Sequence, residues 1–130
     1  MTGLIAGAAL VGVLALGPPV YTGSAVRYNE NVMEHVADVR GIARQDCMVA
    51  WTQADARDIG TTWLRVVGPY GAVDCLVVDL PRDRDRAALE RRGIVVELGF
   101  PSRGICGEGW SGRARDCRVR VWVLPDRVGE

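Results

Sequence analysis

The apolar positions divide this chain into one uniformly apolar stretch and a longer region of short, alternating runs. Gly3 to Val20 (GLIAGAALVGVLALGPPV) carries no charge and shows no polar face. A helix needs about 20 such residues to span a bilayer, so this run predicts a signal-peptide core or a minimal membrane anchor. A helix packed in a small core would normally keep one polar side, which this segment lacks. Gly23-Ser24-Ala25 offers a small-residue cleavage point, and Tyr21 to Asn29 reads as a linker of Gly, Ser, Thr and Asn. The expected division is therefore a signal or anchor with its linker over residues 1–26 and a folded domain over residues 27–130.

Within that domain, Val32, Val36 and Val39 recur at helical spacing behind Asn29 or Asn31 as a cap, with Gly41 as the stop. His35 lies beside this stripe and is expected to face solvent. Cys47 to Trp51 reads as a strand. Ile59 to Val67 is a turn and a strand in which Leu64 and Val66 share one face, Trp63 and Arg65 the other. Gly68-Pro69-Tyr70-Gly71 predicts a hairpin turn into a return strand, Ala72 to Leu80, which Pro81 ends because it has no N–H for a ladder. The charged run Arg82 to Arg92 predicts a solvated loop and short helix, capped by Asp83 or Asp85 and stopped by Gly93. Ile94 to Leu98 is a further strand with Glu97 near its end. A Gly-rich segment from Gly99 to Gly112, with one helical turn at Ser102 to Cys106, leads to a last strand, Cys117 to Leu124, and a frayed tail. Five or so short strands with one or two short helices describe a small, mostly β domain, and a barrel is favoured because closure removes exposed edges.

Charge removes one class of function. The 16 basic residues, all of them arginine, balance 16 acidic ones, and residues 1–26 hold none of either. A neutral domain is a poor match for binding nucleic acid through phosphate charge. The four cysteines, Cys47, Cys75, Cys106 and Cys117, allow three disulfide pairings or a four-thiolate zinc site. No close Cys-x2-Cys knuckle is present, so disulfides are favoured, with Cys47 paired to Cys75 and Cys106 to Cys117. The latter pair closes a loop of about ten residues. Every arginine follows the apolar segment, which by the positive-inside rule argues for a cytoplasmic domain. Four cysteines in so small a domain argue for export, and that is the expected localisation.

The candidate chemistry centres on Asp79, a carboxylate at the end of an apolar strand. Asp83 is a weaker second carboxylate, and Arg82 a nearby ion-pair partner or substrate contact. Trp51 and Trp110 are candidates for a substrate contact, since aromatic faces suit sugars and cations alike. No metal or cofactor is expected.

Three stretches together resemble the double-psi β-barrel of the rare lipoprotein A and expansin type. Ile59-Gly60-Thr61-Thr62-Trp63-Leu64-Arg65-Val66 resembles its "leucine-Gly-Thr, then basic-Val" strand. Val77-Val78-Asp79 resembles the strand that ends on its functional Asp. Val95-Val96-Glu97-Leu98, with Ser102 to Gly107 and Arg118-Val119-Arg120-Val121, resembles its "isoleucine-Asp-Leu-Ser, small helix, Gly, Val-basic-Val" ending. The resemblance spans roughly residues 47–124. It implies an exported cell-envelope domain that binds cell-wall polysaccharide or peptidoglycan and, in lytic transglycosylase-like members, cleaves it. Asp79 would serve as general acid/base, a role that needs a carboxyl with a raised pKa. The chain departs from the pattern at Asp79-Leu80-Pro81-Arg82, where the family has Asp-Arg-Gly-Pro, and has no histidine near Trp51. The competing expectations are a non-catalytic interaction module tethered to the membrane through residues 3–20, and a metal-binding domain built on the cysteines.

Overall fold

The computed structural model describes residues 19–99 and 102–125. Apart from Pro19 and Val20, the expected signal or anchor lies outside the described residues, as does the tail beyond Pro125. Six strands, β1 (Tyr21–Arg27), β2 (Met48–Trp51), β3 (Trp63–Gly68), β4 (Gly71–Asp79), β5 (Ile94–Leu98) and β6 (Arg118–Leu124), close into a barrel in the order β1-β5-β2-β4-β3-β6. Helix α1 (Glu30–Val39) follows β1, and α2 (Asp83–Arg91) follows β4. The pairs β1/β5 and β2/β4 are parallel; β2/β5, β3/β4, β3/β6 and β1/β6 are antiparallel.

This ring has an internal symmetry. Exchanging β1 with β4, β2 with β5 and β3 with β6 returns the same neighbours with the same directions. The helices obey it too. Each ends in Arg-Gly-Ile, Arg40-Gly41-Ile42 and Arg92-Gly93-Ile94, with both glycines at φ 71°, the left-handed conformation that closes a helix and that glycine adopts without steric cost.

The barrel interior is built from alternate positions of its strands. Val49, Leu64, Val66, Val77, Val96, Val119 and Val121 are buried there together with all four cysteines. The cysteines form two disulfides, Cys47–Cys75 and Cys106–Cys117, with Cα–Cα distances of 4.5 and 5.2 Å. With every sulfur oxidised, the thiolate zinc site has no ligands.

Three local expectations are corrected. Most of the expected linker from Tyr21 to Asn29 is in fact strand β1 (Tyr21–Arg27), with Asn29 as the cap of α1, and the barrel therefore begins before residue 27. Its residues are small because β1 runs between β5 and β6 at close quarters: a Cβ on Gly23 would stand 2.5 Å from the Gly93 carbonyl oxygen and 2.8 Å from Val95 Cγ1. Gly23→Ala is expected to destabilise the domain by about 1–3 kcal/mol, the usual cost of forcing an extra carbon into a packed site. A thermal melt checks this, since the same change in a linker would have no effect.

The second correction concerns α1. Asn29 caps it, its side chain accepting from the Asn31 and Val32 backbone N–H groups, but the buried face is Met33 and Ala37. These pack on Met48, Leu76 and Val78, while Val32 and Val39 stay 47% and 72% exposed. The flexible Met fills the space against the barrel wall, and the valine stripe is turned away from it. On α2, Asp83 and Asp85 lie inside the first turn. The cap position is Arg82, which makes no side-chain capping bond. Both acids there favour the helix through its positive N-terminal end.

Candidate functional site

The site is assembled by a bulge. Along β2 and β4 the register runs Val49 opposite Val77, then shifts so that Ala50 lies opposite Asp79. Without the extra residue, Ala50 would meet Val78, and Asp79 would follow the parity of the interior residues Cys75 and Val77. Bulges commonly re-aim a side chain in this way. On its other side Ala50 pairs with Glu97 of β5. Asp79, Ala50 and Glu97 therefore form one row across three strands, with the two acids about 10 Å apart at the backbone. The methyl group of Ala50 keeps the space between them low.

Asp79 and Glu97 floor a groove of about 760 Å³ between the two helices. Val32 and Val36 of α1 line one wall, Ala88 and Leu89 of α2 the other, and Arg40, Arg82 and Arg92 stand among its lining residues. Val32 and Val36 of the valine stripe thus belong to the groove wall, and Val39 does not. By the barrel's internal symmetry the groove straddles the β2/β5 pair, and Arg40 and Arg92 are equivalent positions of the two halves.

Asp79 is held from two directions. The Tyr28 phenol donates to Asp79 Oδ2 at 2.8 Å, and Arg40 Nη2 donates to Oδ1 at 3.1 Å. The Asp79 and Arg40 side chains are 18% and 37% exposed, so the pair orients the carboxylate while adding little stability. Tyr28 resists ionisation well beyond the ordinary phenol range, chiefly through burial and then through its bond to Asp79. Glu97 is perturbed in a different way. Burial raises its pKa first, and the negative charges of Asp79 and Asp85 raise it further. The two carboxyls thus sit in different surroundings: Asp79 accepts from Tyr28 and Arg40, while burial and nearby negative charge disfavour the ionised form of Glu97.

The other sequence candidates fall elsewhere. Arg82 lines the groove, but the partner of Asp79 is Arg40. Asp83 is exposed on the first turn of α2 and does not line the groove, whereas Asp85 does. Trp51 is only 6% exposed and meets Tyr21 edge-on at 5.7 Å inside the barrel, so it cannot stack on a sugar. Trp110 is half-buried against the barrel core, its indole N–H donating to the Arg113 carbonyl oxygen at 3.2 Å, and it borders a different hollow. Nothing in the sequence singles out Tyr28 or Arg40. Glu97 alone has a signal, its place near a strand end, and the second carboxylate expected from the sequence is Asp83.

The fold defines a closed, six-stranded mixed β-barrel with two disulfides, the covalent chemistry of an oxidising, extracytoplasmic compartment. No protein-family model, curated protein or solved structure matches the chain.

Proposed function

We propose that this is an exported cell-envelope barrel of the double-psi, rare lipoprotein A-like type that binds and cleaves cell-wall glycan. The observation that carries the reading is that Asp79 and Glu97, aligned through Ala50, both lie on the groove floor, with burial and neighbouring negative charge raising the pKa of Glu97. Glu97 also stands where the family's "isoleucine-Asp-Leu-Ser" has its acid, and Asp79 where the preceding strand ends on the functional Asp. The symmetric exchange of the two strand triplets and the paired parallel contacts support the double-psi form. The disulfides support export, with residues 1–26 supplying the signal or anchor and, from residue 21 on, the first strand.

In this mechanism Glu97 gives its proton to the glycosidic oxygen as the bond to the anomeric carbon breaks. The Asp79 carboxylate stabilises the positive charge that develops on the sugar. Glu97, now ionised, accepts the proton of the hydroxyl that attacks the anomeric carbon, whether from water or from the sugar itself. Tyr28 and Arg40 act as positioning residues for Asp79. The sequence candidate for general acid/base thus becomes the electrostatic partner, and Glu97 takes the acid/base role.

Two observations favour a second reading, a non-catalytic, membrane-tethered interaction module. The Tyr28 and Arg40 bonds give Asp79 a complete structural role, and the groove walls are aliphatic. Incubation with purified peptidoglycan separates the two. Wild-type protein is expected to sediment with the polymer and release soluble fragments, and Asp79→Asn to sediment while releasing about a hundredfold less. Sedimentation without release by the wild type would leave the binding module, and no association at all would remove the glycan reading.

A further inference from the structure

At the opposite end of β4 from Asp79, the structure holds an exposed aromatic ring in a fixed position. Tyr70, in the β3–β4 turn, is 75% exposed. Eight strand steps separate Gly71 from Asp79, roughly 26 Å, so this surface is distinct from the groove between the helices.

Several contacts fix the turn and the loop beside it, and one of them lies against the ring. The Tyr70 backbone N–H donates to the Ile105 carbonyl oxygen at 3.1 Å. A Cβ on Gly68, at the base of the turn, would stand 2.5 Å from that same oxygen. Gly107 has φ +99°, and a Cβ there would come within 2.8 Å of Tyr70 Cε2, so the ring lies directly against glycine backbone. The Cys106–Cys117 disulfide anchors this loop to the foot of β6. The Trp110 backbone N–H donates to the Gly107 carbonyl oxygen at 3.2 Å, which fixes the second aromatic residue relative to the first. An exposed tyrosine held this way loses little freedom on binding, and that is where preorganised sites gain affinity.

Hollows of about 560 and 370 Å³ flank Tyr70. Trp110, Glu108 and Asp116 line the first, Asp46 the second. Among the described residues, the charged groups lining both are carboxylates, which only accept hydrogen bonds when ionised. A ligand that matches must therefore present hydrogen-bond donors around a flat, weakly positive C–H face that seats on the electron-rich ring. A pyranose does both: its axial C–H bonds cover one face and its hydroxyls ring the edge.

We infer that Tyr70 and Trp110, with the carboxylates of Glu108, Asp116 and Asp46, form a second saccharide-binding surface at the far end of the barrel from Asp79 and Glu97. It holds a neutral or amino-sugar chain without cleaving it. This goes beyond the proposed cleavage function and stands on different residues.

The experiment follows the tryptophan emission of the full chain titrated with a soluble N-acetylglucosamine tetramer, with a lysine-rich peptide as the competing cation probe. The wild type is expected to show a saturable emission change, and Tyr70→Ala to weaken it about tenfold. Glu108→Gln is the second variant, expected to weaken binding through lost acceptor strength. Circular dichroism and intact disulfides establish that both variants are folded. Affinity unchanged in Tyr70→Ala would overturn the proposal. So would a loss of affinity in Asp79→Asn with Tyr70 intact, because binding would then run through the helix groove. Tighter capture of the lysine peptide than of the tetramer would reassign the surface to cations. Failure to cleave peptidoglycan bears on Asp79 and Glu97 alone and leaves this surface untouched.

Discussion

Glu97→Gln is expected to cut glycan cleavage by about 10²- to 10⁴-fold, the contribution of a positioned proton donor, while making the domain more stable at neutral pH. The two effects have one origin. Glu97 has its pKa raised by burial and by the charges of Asp79 and Asp85, so folding disfavours its ionised form. The resulting stability is fully present below the ordinary glutamic acid value and is lost as pH rises through the raised one. A glutamine side chain has no such proton to lose, so the mutant should match the wild type at low pH and exceed it above that interval. Cleavage by the wild type should fall over the same interval, because the donor is then ionised. Thermal melts from about pH 4 to about pH 8 read the stability effect without any substrate. Parallel melting curves for mutant and wild type across that range would show that Glu97 is not held toward its protonated form.

Removing the disulfides should have the largest effect on stability. Cys47 and Cys75 are 28 residues apart and Cys106 and Cys117 are 11 apart, and all four are buried. Loop-closure entropy then assigns roughly 3.5 kcal/mol to the first bridge and roughly 3 kcal/mol to the second. Together these are comparable with the whole stability of many small domains, about 5–15 kcal/mol. The double variant Cys47→Ala/Cys75→Ala is expected to melt about 10–20 °C lower and to lose more than Cys106→Ala/Cys117→Ala. Full reduction should bring the domain near its unfolding midpoint at ambient temperature. Melts with and without reductant, with thiols counted, provide the check. An unchanged midpoint after complete reduction would mean that packing alone holds the barrel.

Much of this frame is legible in the chain itself. The turn Gly68 to Gly71 announces the β3–β4 hairpin, and alternation places Leu64 and Val66 inside. Strand β1 is hidden because its place in the barrel demands small residues, and Thr22, Gly23 and Ser24 look like a linker when read without neighbours. Trp51 misleads for a related reason. All four residues of β2 are buried, so no polar face reveals which side of the strand looks inward. Asp79 can be picked out from its position at the end of an apolar strand. Its companions cannot, since Tyr28 and Arg40 lie 51 and 39 residues away and meet it only through the barrel's closure. The Val78 bulge that aligns Asp79 with Glu97 leaves no mark in composition or period, because Val77 and Val78 are equally at home in a regular strand.

The symmetric ring also governs how the chain acquires its structure. Each of its six strand pairs joins one of β1, β2 and β3 to one of β4, β5 and β6. Neither half contains a single pair of its own. During synthesis the first three strands emerge with nothing to bond to, and even the hairpin must wait for β4. Closure then needs β6, the last strand made, to reach both β1 and β3. Contacts of such long sequence separation fold slowly, so the nascent chain spends its waiting time with unpaired edges and free thiols. The two halves form one cooperative unit that is completed only at its C-terminal strand.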